Sequence, residues 1–272
     1  MSDKPHISPS QLESFCRCPE AYRRRYLDGE IIPPGIAILK GTAFHGGAAV
    51  NMRQKIESHV DLPVADIVDA ARAAFDQATH GEYQLSAEEQ SRGAAIVLGE
   101  AIDDTLDMVH VHARQQAPDY QPVLVEEKLR IVLPNAPRDL LGIIDLADDQ
   151  DRVIDFKTAG RKKNQADADD SVQLTVYDAA FRVRFGRAPK EVRLDAVIQT
   201  KTKTERQVVA SDRSGDDFNA LANRINVVTA AIEAGSFPPA TPGAWWCGPR
   251  WCGYHSTCPF VNSARSRKEQ GD

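Results

Sequence analysis

The sequence predicts an α/β protein with a central mixed sheet flanked by helices, and three observations carry that expectation. From about 41 to 117, apolar residues recur at three- and four-residue spacing, the period of helices. After Pro122 the pattern changes to short runs rich in β-branched residues, separated by turn signals, as strands are. The rest reads helix, strand, strand, helix, and blocks in this order pack as helices on a sheet.

The elements follow in order. Ser8-Pro9-Ser10-Gln11 starts a helix: Ser8 can cap it, Pro9 suits its first position, and Gln11 completes a capping box. The helix carries Leu12, Phe15, Tyr22 and Tyr26, and Pro19 should kink or break it just after Cys18. Residues 30–40, with Pro33-Pro34-Gly35, read as a loop. Ala65–Ala78 and Ala94–Val111 are the clearest helical stretches of the block that follows. Val123–Leu133, Leu140–Leu146 and Arg152–Lys157 read as a three-stranded meander, turning at Pro134-Asn135-Ala136-Pro137 and Asp148–Asp151. Ser171–Phe185 is a helix, Val192–Thr200 and Gln207–Ala210 are strands, and Phe218–Ala234 is the last helix. From Pro238 the chain is loop-like.

The net charge of −6 argues against a simple nucleic-acid coat, which is usually basic. It leaves room for a nuclease, because acidic residues that hold a metal count against the sum. Three basic clusters, Arg23-Arg24-Arg25, Arg161-Lys162-Lys163 and Lys201/Lys203/Arg206, read as solvated surface. No apolar run approaches the roughly 20 residues that span a bilayer. The N-terminus has no apolar signal core. The expectation is a cytoplasmic protein with no membrane association and with reduced thiols.

Gly142-Ile-Ile-Asp145 precedes Asp155-Phe156-Lys157-Thr158. Asp145 ends one strand, and Asp155 and Lys157 sit two apart on the next, so their side chains share a face. Asp-x-Lys alone is a common surface pair; the preceding apolar strand with its own aspartate marks this one. Two carboxylates can hold Mg²⁺ or Mn²⁺, hard ions that prefer oxygen ligands. Such an ion activates water and polarises a phosphate, and an adjacent ammonium can stabilise the developing charge. Gln173 and Tyr177, spaced i, i+4, share one helix face. Of Glu126 and Glu127, neighbours on the first strand, only one can face such a site.

These segments closely resemble the core of the RecB-like PD-(D/E)XK nucleases, in the iron–sulfur-containing branch with CRISPR-associated exonucleases and phage relatives. The resemblance also takes in Ser8-Pro-Ser-Gln-Leu…Cys18-Pro19…Tyr22…Tyr26, Gly41-Thr-Ala-Phe-His45 and Gln173-Leu-Thr-Val-Tyr177. These matches run from 8 to 259 in the family's order; 46–117 has no matching motif. The resemblance implies a restriction-endonuclease-like fold with a helical insertion. It implies metal ligation by His45, Asp145 and Asp155, and catalysis by Lys157 and Asp155 with Asp145, Gln173 and Tyr177. It implies exonuclease action on single-stranded DNA or DNA ends in recombination, repair, phage replication or CRISPR adaptation. An endonuclease or flap nuclease of the same fold, and a non-catalytic DNA-binding scaffold, are the alternatives. No Walker motif is present, so a helicase or CRISPR adaptation protein would be a separate partner.

The five cysteines fall at the two ends, with none between Cys18 and Cys247. Cys247-x4-Cys252-x5-Cys258 supplies three thiolates, and a [4Fe–4S] cluster needs four. The fourth comes from Cys16 or Cys18; Cys18 precedes a proline as the resembling family's cysteine does. Zinc is the alternative, although its Cys₄ sites usually show two Cys-x₂₋₄-Cys pairs. Trp245, Trp246 and Trp251 surround this clasp and are expected to pack on the cluster lobe, with stacking on DNA bases as the alternative. The whole, 1–272, reads as one nuclease domain: a helical part at about 41–117, a catalytic core at about 120–210, and a cluster lobe from about 8–28 plus 238–262.

Overall fold

In the computed structural model, which describes residues 4–133 and 136–261, six strands form one mixed sheet. The strands are β1 (His6–Ile7), β2 (Pro122–Ile131), β3 (Asp139–Asp148), β4 (Arg152–Ala159), β5 (Glu191–Gln199) and β6 (Thr204–Ser211). The start, Met1–Asp3, the turn residues Pro134 and Asn135, and Asn262 at the end of the expected lobe lie outside the described residues.

One edge of β3 is taken by antiparallel β2. A strand has two edges, so β1 and β4 share the other. β1 pairs in parallel at Asp139 and Leu140, and β4 pairs antiparallel at Leu146 and Ala147. Residues 141–145 between them have no strand partner on that edge, and a gap opens in the sheet. β5 then runs parallel to β4, and β6 antiparallel to β5.

Helices cover both faces. α1 (Pro9–Arg17), α2 (Pro19–Tyr26), α8 (Val172–Phe185) and α9 (Gly215–Glu233) pack over a core with Ile7, Leu12, Leu140, Ile144, Val153 and Phe181. α3 (Ile36–Ser58), α4 (Val64–His80) and α6 (Ala94–Val111) cover the opposite core, with Phe44, Met52, Ile67, Leu146, Ile154 and Phe156. No helix among the described residues is long and apolar enough to cross a membrane.

The N-terminal helix breaks at Cys18 into two, as Pro19 requires. Its capping box is present: Gln11 N–H donates to the Ser8 hydroxyl, and Ser8 N–H to the Gln11 side chain. The loop expected at 30–40 is shorter, because Gly35 starts α3 and Ile36 is already helical. β3 runs three residues past Asp145, so that residue lies inside the strand rather than at its end. β1, α5 (Ala87–Arg92) and α7 (Gln165–Asp169) were not expected; each is too short to show a period. α6 continues into a π-turn, His112–Gln116.

Most residues of the basic clusters are exposed, as expected, among them Arg25, Arg161, Lys162, Lys201 and Lys203; Arg24 and Arg206 are the exceptions. Arg24 pairs with Glu30 at 2.5 Å, and Arg206 with fully buried Asp195 at 2.7 Å. Asp195 also accepts from the Tyr120 hydroxyl (2.6 Å) and the Gln116 amide (2.8 Å). These arginines tie the fold together; their charge is spent internally.

Candidate active site

Asp145 and Asp155 stand where the β3–β4 ladder ends. The pairs Ala147–Val153 and Leu146–Ile154 are formed, and the next, Asp145–Asp155, is not. The strands part there. Phe156 N–H donates to Asp145 Oδ2 (3.1 Å), so a side chain replaces the missing ladder bond.

The other side of Asp145 is irregular too. Val125 pairs with Leu146 and Glu127 with Ile144, but the Glu126–Asp145 rung is skipped. Glu126 has φ +45°, a conformation costly for a residue with a Cβ. Alternation slips on both strands at this rung. Leu140 and Ile144 face one core while Leu146 faces the other; Leu129 and Ile131 share a core with Leu124 despite their odd spacing. Asp145 can therefore be reached from both helical layers. The Tyr177 hydroxyl of α8 donates to its Oδ1 (3.1 Å), and His45 Nδ1 of α3 lies 3.8 Å from its Oδ2.

Lys157 lies on the α8 side. Its ammonium donates to Gln173 Oε1 (2.8 Å), Gln173 Nε2 donates to the Tyr177 hydroxyl (2.6 Å), and Tyr177 donates to Asp145. The chain of donors is directional and joins the lysine to the first aspartate. Lys157 Nζ also lies 2.9 Å from Asp155 Oδ1. That approach is angled outside hydrogen-bond geometry, so neither oxygen of this fully buried carboxylate has a hydrogen bond.

The electrostatics follow from burial. Asp155 is pushed up to about 7, first by burial, against the pull of Lys157 and with the push of Asp145. Burial likewise raises Asp145, opposed by Lys157. Burial works against the charge on Lys157, but Asp155 and Asp145 outweigh it and hold the ammonium protonated. Burial lowers His45 despite Asp155, leaving a neutral imidazole. Burial, then Asp145 and Asp155, raise Tyr177 well above the usual phenol range.

Two residues join the site, one that the sequence left undecided between neighbours and one that it missed. Glu126 lines the same recess as His45 and Asp145 and pairs with Arg53, whereas Glu127 turns to Arg184. The doublet was visible, but only the irregular rung shows which member faces inward. Glu13 of α1 lines two clefts, of about 550 and 200 Å³, which also expose Lys157, Gln173 and Tyr177. Nothing in its sequence surroundings distinguishes it from any polar helix position.

Among the described residues, no three His, Cys, Asp or Glu side chains already stand at metal-holding spacing. The donors nevertheless suit a hard cation: two carboxylates, one of them with both oxygens unsatisfied, and a neutral imidazole. At the other end of α1, Cys18, Cys247, Cys252 and Cys258 come close enough to act on one another. Burial first, then the other three thiols, raise Cys247. Cys16 is exposed and instead senses Arg224 and Glu13.

Comparison with known proteins follows this geometry. The profile of the PD-(D/E)XK nuclease superfamily matches residues 6–259. A search of the curated proteins finds no match. Among solved structures, a protein from Eubacterium rectale provisionally assigned as an exonuclease superposes with a TM-score of 0.56 at 10% identity. That match covers 94% of this chain and 88% of the other, and it shows a shared fold. SSO0001 matches over 78% of this chain and 95% of its own, at 15% identity and a TM-score of 0.34.

Proposed function

Because the chain belongs to the PD-(D/E)XK nuclease superfamily, we propose that it is a Mg²⁺- or Mn²⁺-dependent deoxyribonuclease working at the Asp145–Asp155–Lys157 cluster. The observation that carries this reading is Asp155: a fully buried carboxylate with both oxygens unsatisfied, beside a second aspartate, a neutral imidazole and an ammonium. A scaffold would gain nothing from that burial, which is costly unless something completes it.

His45, Asp145 and Asp155 would hold the ion. Bound there, it would supply a more acidic water and a polarised phosphate. The chain's own groups do the rest. Lys157 presents its charge at the mouth of the cleft, where it can meet a phosphate oxygen. Gln173 accepts from Lys157, which limits the directions the ammonium can point. Tyr177 donates to Asp145 and holds its Oδ1, while Asp155 faces the Lys157 ammonium 2.9 Å from its Oδ1. Phe156 packs into the opposite core and fixes the strand carrying Asp155 and Lys157.

Exonuclease action, with single-stranded DNA or DNA ends as substrate, follows the motif set and accords with the provisional exonuclease of Eubacterium rectale that shares the fold. The chain would act as one nuclease domain, in recombination, repair, phage replication or CRISPR adaptation, with any helicase separate. We propose further that Cys18, Cys247, Cys252 and Cys258 hold a [4Fe–4S] cluster. The electrostatic influence of Cys18, Cys252 and Cys258 on Cys247, and the exposure of Cys16, support that set. A zinc ion is the alternative, and a colourless, zinc-containing protein would decide for it.

The test is degradation of end-labelled single- and double-stranded DNA by anaerobically purified protein with Mn²⁺, Mg²⁺ or EDTA. We expect metal-dependent loss of label, reduced at least about 100-fold in Lys157→Ala, the scale of losing a transition-state charge donor. Folded protein that binds DNA yet cuts no free, blocked or flapped end would replace the nuclease with a scaffold.

A further inference from the structure

Trp245 and Trp251 are left largely in water, 62% and 57% exposed, which is unusual for so large an apolar surface. They keep to the lobe expected from sequence, where Arg17 lies against Trp245 and Trp246, yet much of their surface stays open. They pack on each other, ring centres 5.3 Å apart and planes at 85°. Trp246 does the anchoring: its indole N–H donates to the Arg17 carbonyl (3.1 Å), satisfying a carbonyl left open at the end of α1.

Cations lie over these rings. The Arg17 guanidinium is 5.6 Å from the centre of Trp245 and 5.7 Å from that of Trp246, and Arg250 is 5.1 Å from Trp251. Neither arginine forms an ion pair among the described residues, unlike the buried arginines of the basic clusters. The patch thus combines exposed aromatic faces with uncommitted positive charge.

It is also continuous with the catalytic cleft. Arg17 lies four residues after Glu13, so both occupy one face of α1, about 6 Å apart along its axis. Glu13 lines the cleft that exposes Lys157. Lys157, Arg224 of α9 and Arg17 all act on the Glu13 carboxylate, as does Asp155 beside Lys157. The route runs Lys157, Arg224, Arg17, then the tryptophans and Arg250.

We infer that Trp245 and Trp251, with Arg17 and Arg250, form a stacking platform for the bases of a single DNA strand whose scissile phosphate lies beside Lys157. Every base offers a π-face, so aromatic stacking holds a strand without reading its sequence, and arginines track its phosphates. A duplex hides those faces in its own stack. Two rings at right angles suit bases already turned out of register. The placement of the scissile phosphate rests on the nuclease reading above; the platform itself does not.

The experiment is titration of the intact, anaerobically purified protein with a short dye-labelled oligothymidylate in EDTA, beside a blunt hairpin of equal length, followed by tryptophan emission in the wild type and by dye anisotropy in wild type and variant. We expect the single strand to quench emission and the hairpin to do so far less. The Trp245→Ala/Trp251→Ala double variant should bind about tenfold more weakly or worse, the scale of one or two lost stacks, with circular dichroism unchanged because both rings are exposed. With Mn²⁺ present, its KM for the oligomer should rise about as much while kcat stays near wild type. Wild-type affinity in the double variant, or stronger quenching by the hairpin, overturns the platform. Single-strand affinity that the double variant loses, in a protein that cuts nothing, removes the nuclease reading and leaves the platform standing.

Discussion

Asp155 and His112 are both fully buried, and they tilt the pH dependence of stability in opposite directions. Asp155 is raised from 3.8 to about 7, so the folded state holds a proton that the unfolded state has released. Stability from this group therefore falls as pH rises from about 4 to about 7. His112, edge-on to Phe44 and Phe156, is lowered by burial from 6.5 to about 4. There the unfolded state binds the proton first, so stability is lost as pH falls from 6.5 towards 4. In EDTA the two slopes oppose each other. We expect melting temperatures of Asp155→Asn to rise with pH across this window and those of His112→Leu to fall; parallel profiles would refute the assignment. Mn²⁺ should stabilise the wild type more at pH 8 than at pH 5, where it competes with the Asp155 proton, and should do little for Asp155→Asn. At this scale the clustering of Asp145, Asp155 and Lys157 was expected from their spacing, and that of His45, Gln173 and Tyr177 only from the family resemblance; their roles remain the proposal made above. Glu13 was not expected, since its place depends on where a distant helix lands. His112 was not, since burial of a lone histidine leaves no pattern.

Element boundaries were read within a few residues wherever an apolar period ran long enough, as in α8 and β5. What escaped is how elements meet. Period-two reasoning keeps each strand on one phase, yet β2 and β3 both slip at the Glu126–Asp145 rung. Two slips that compensate leave no mark in either sequence. The glycines after His45 show a second case. A Cβ at Gly47 would stand 2.9 Å from both the Ile67 carbonyl oxygen and Ala71 Cβ, and one at Gly46 would stand 2.6 Å from Ala74 Cβ. These glycines let α4 lie directly against the helix that carries His45. Gly47→Ala should therefore cost about 1–3 kcal/mol by overpacking, despite alanine's better helix propensity. Gly41→Ala, whose Cβ would meet nothing nearer than Thr158 Oγ1 at 3.7 Å, should instead stabilise the protein by about 0.5–1 kcal/mol. Urea titration measures both, and equal effects would contradict the close-approach argument.

Across the whole molecule, the two chain ends are pinned together before any metal is invoked. Arg24 donates to the Thr257 hydroxyl (2.7 Å) and the Tyr254 carbonyl (3.4 Å), the Tyr254 hydroxyl to the Glu30 carbonyl (2.6 Å), and Glu20 N–H to the Pro238 carbonyl (3.2 Å). Cysteine placement made this joining legible, but not the polar clamp, whose partners lie more than 200 residues apart. If a cluster adds to the clamp, Cys18→Ser and Cys252→Ser should lose the visible absorption of the purified protein and melt several degrees lower, while Cys16→Ser keeps both. Equal behaviour of all three variants would refute the ligand set. The central claim concerns the other end of α1, and Mn²⁺ binding measured beside cleavage of one labelled strand tests it most directly. We expect wild type to bind Mn²⁺ and cut, Lys157→Ala to bind Mn²⁺ without cutting, and Asp145→Asn and Asp155→Asn to do neither. Asp155→Asn protein that still binds Mn²⁺ and cuts at the wild-type rate would show that the chemistry takes place elsewhere.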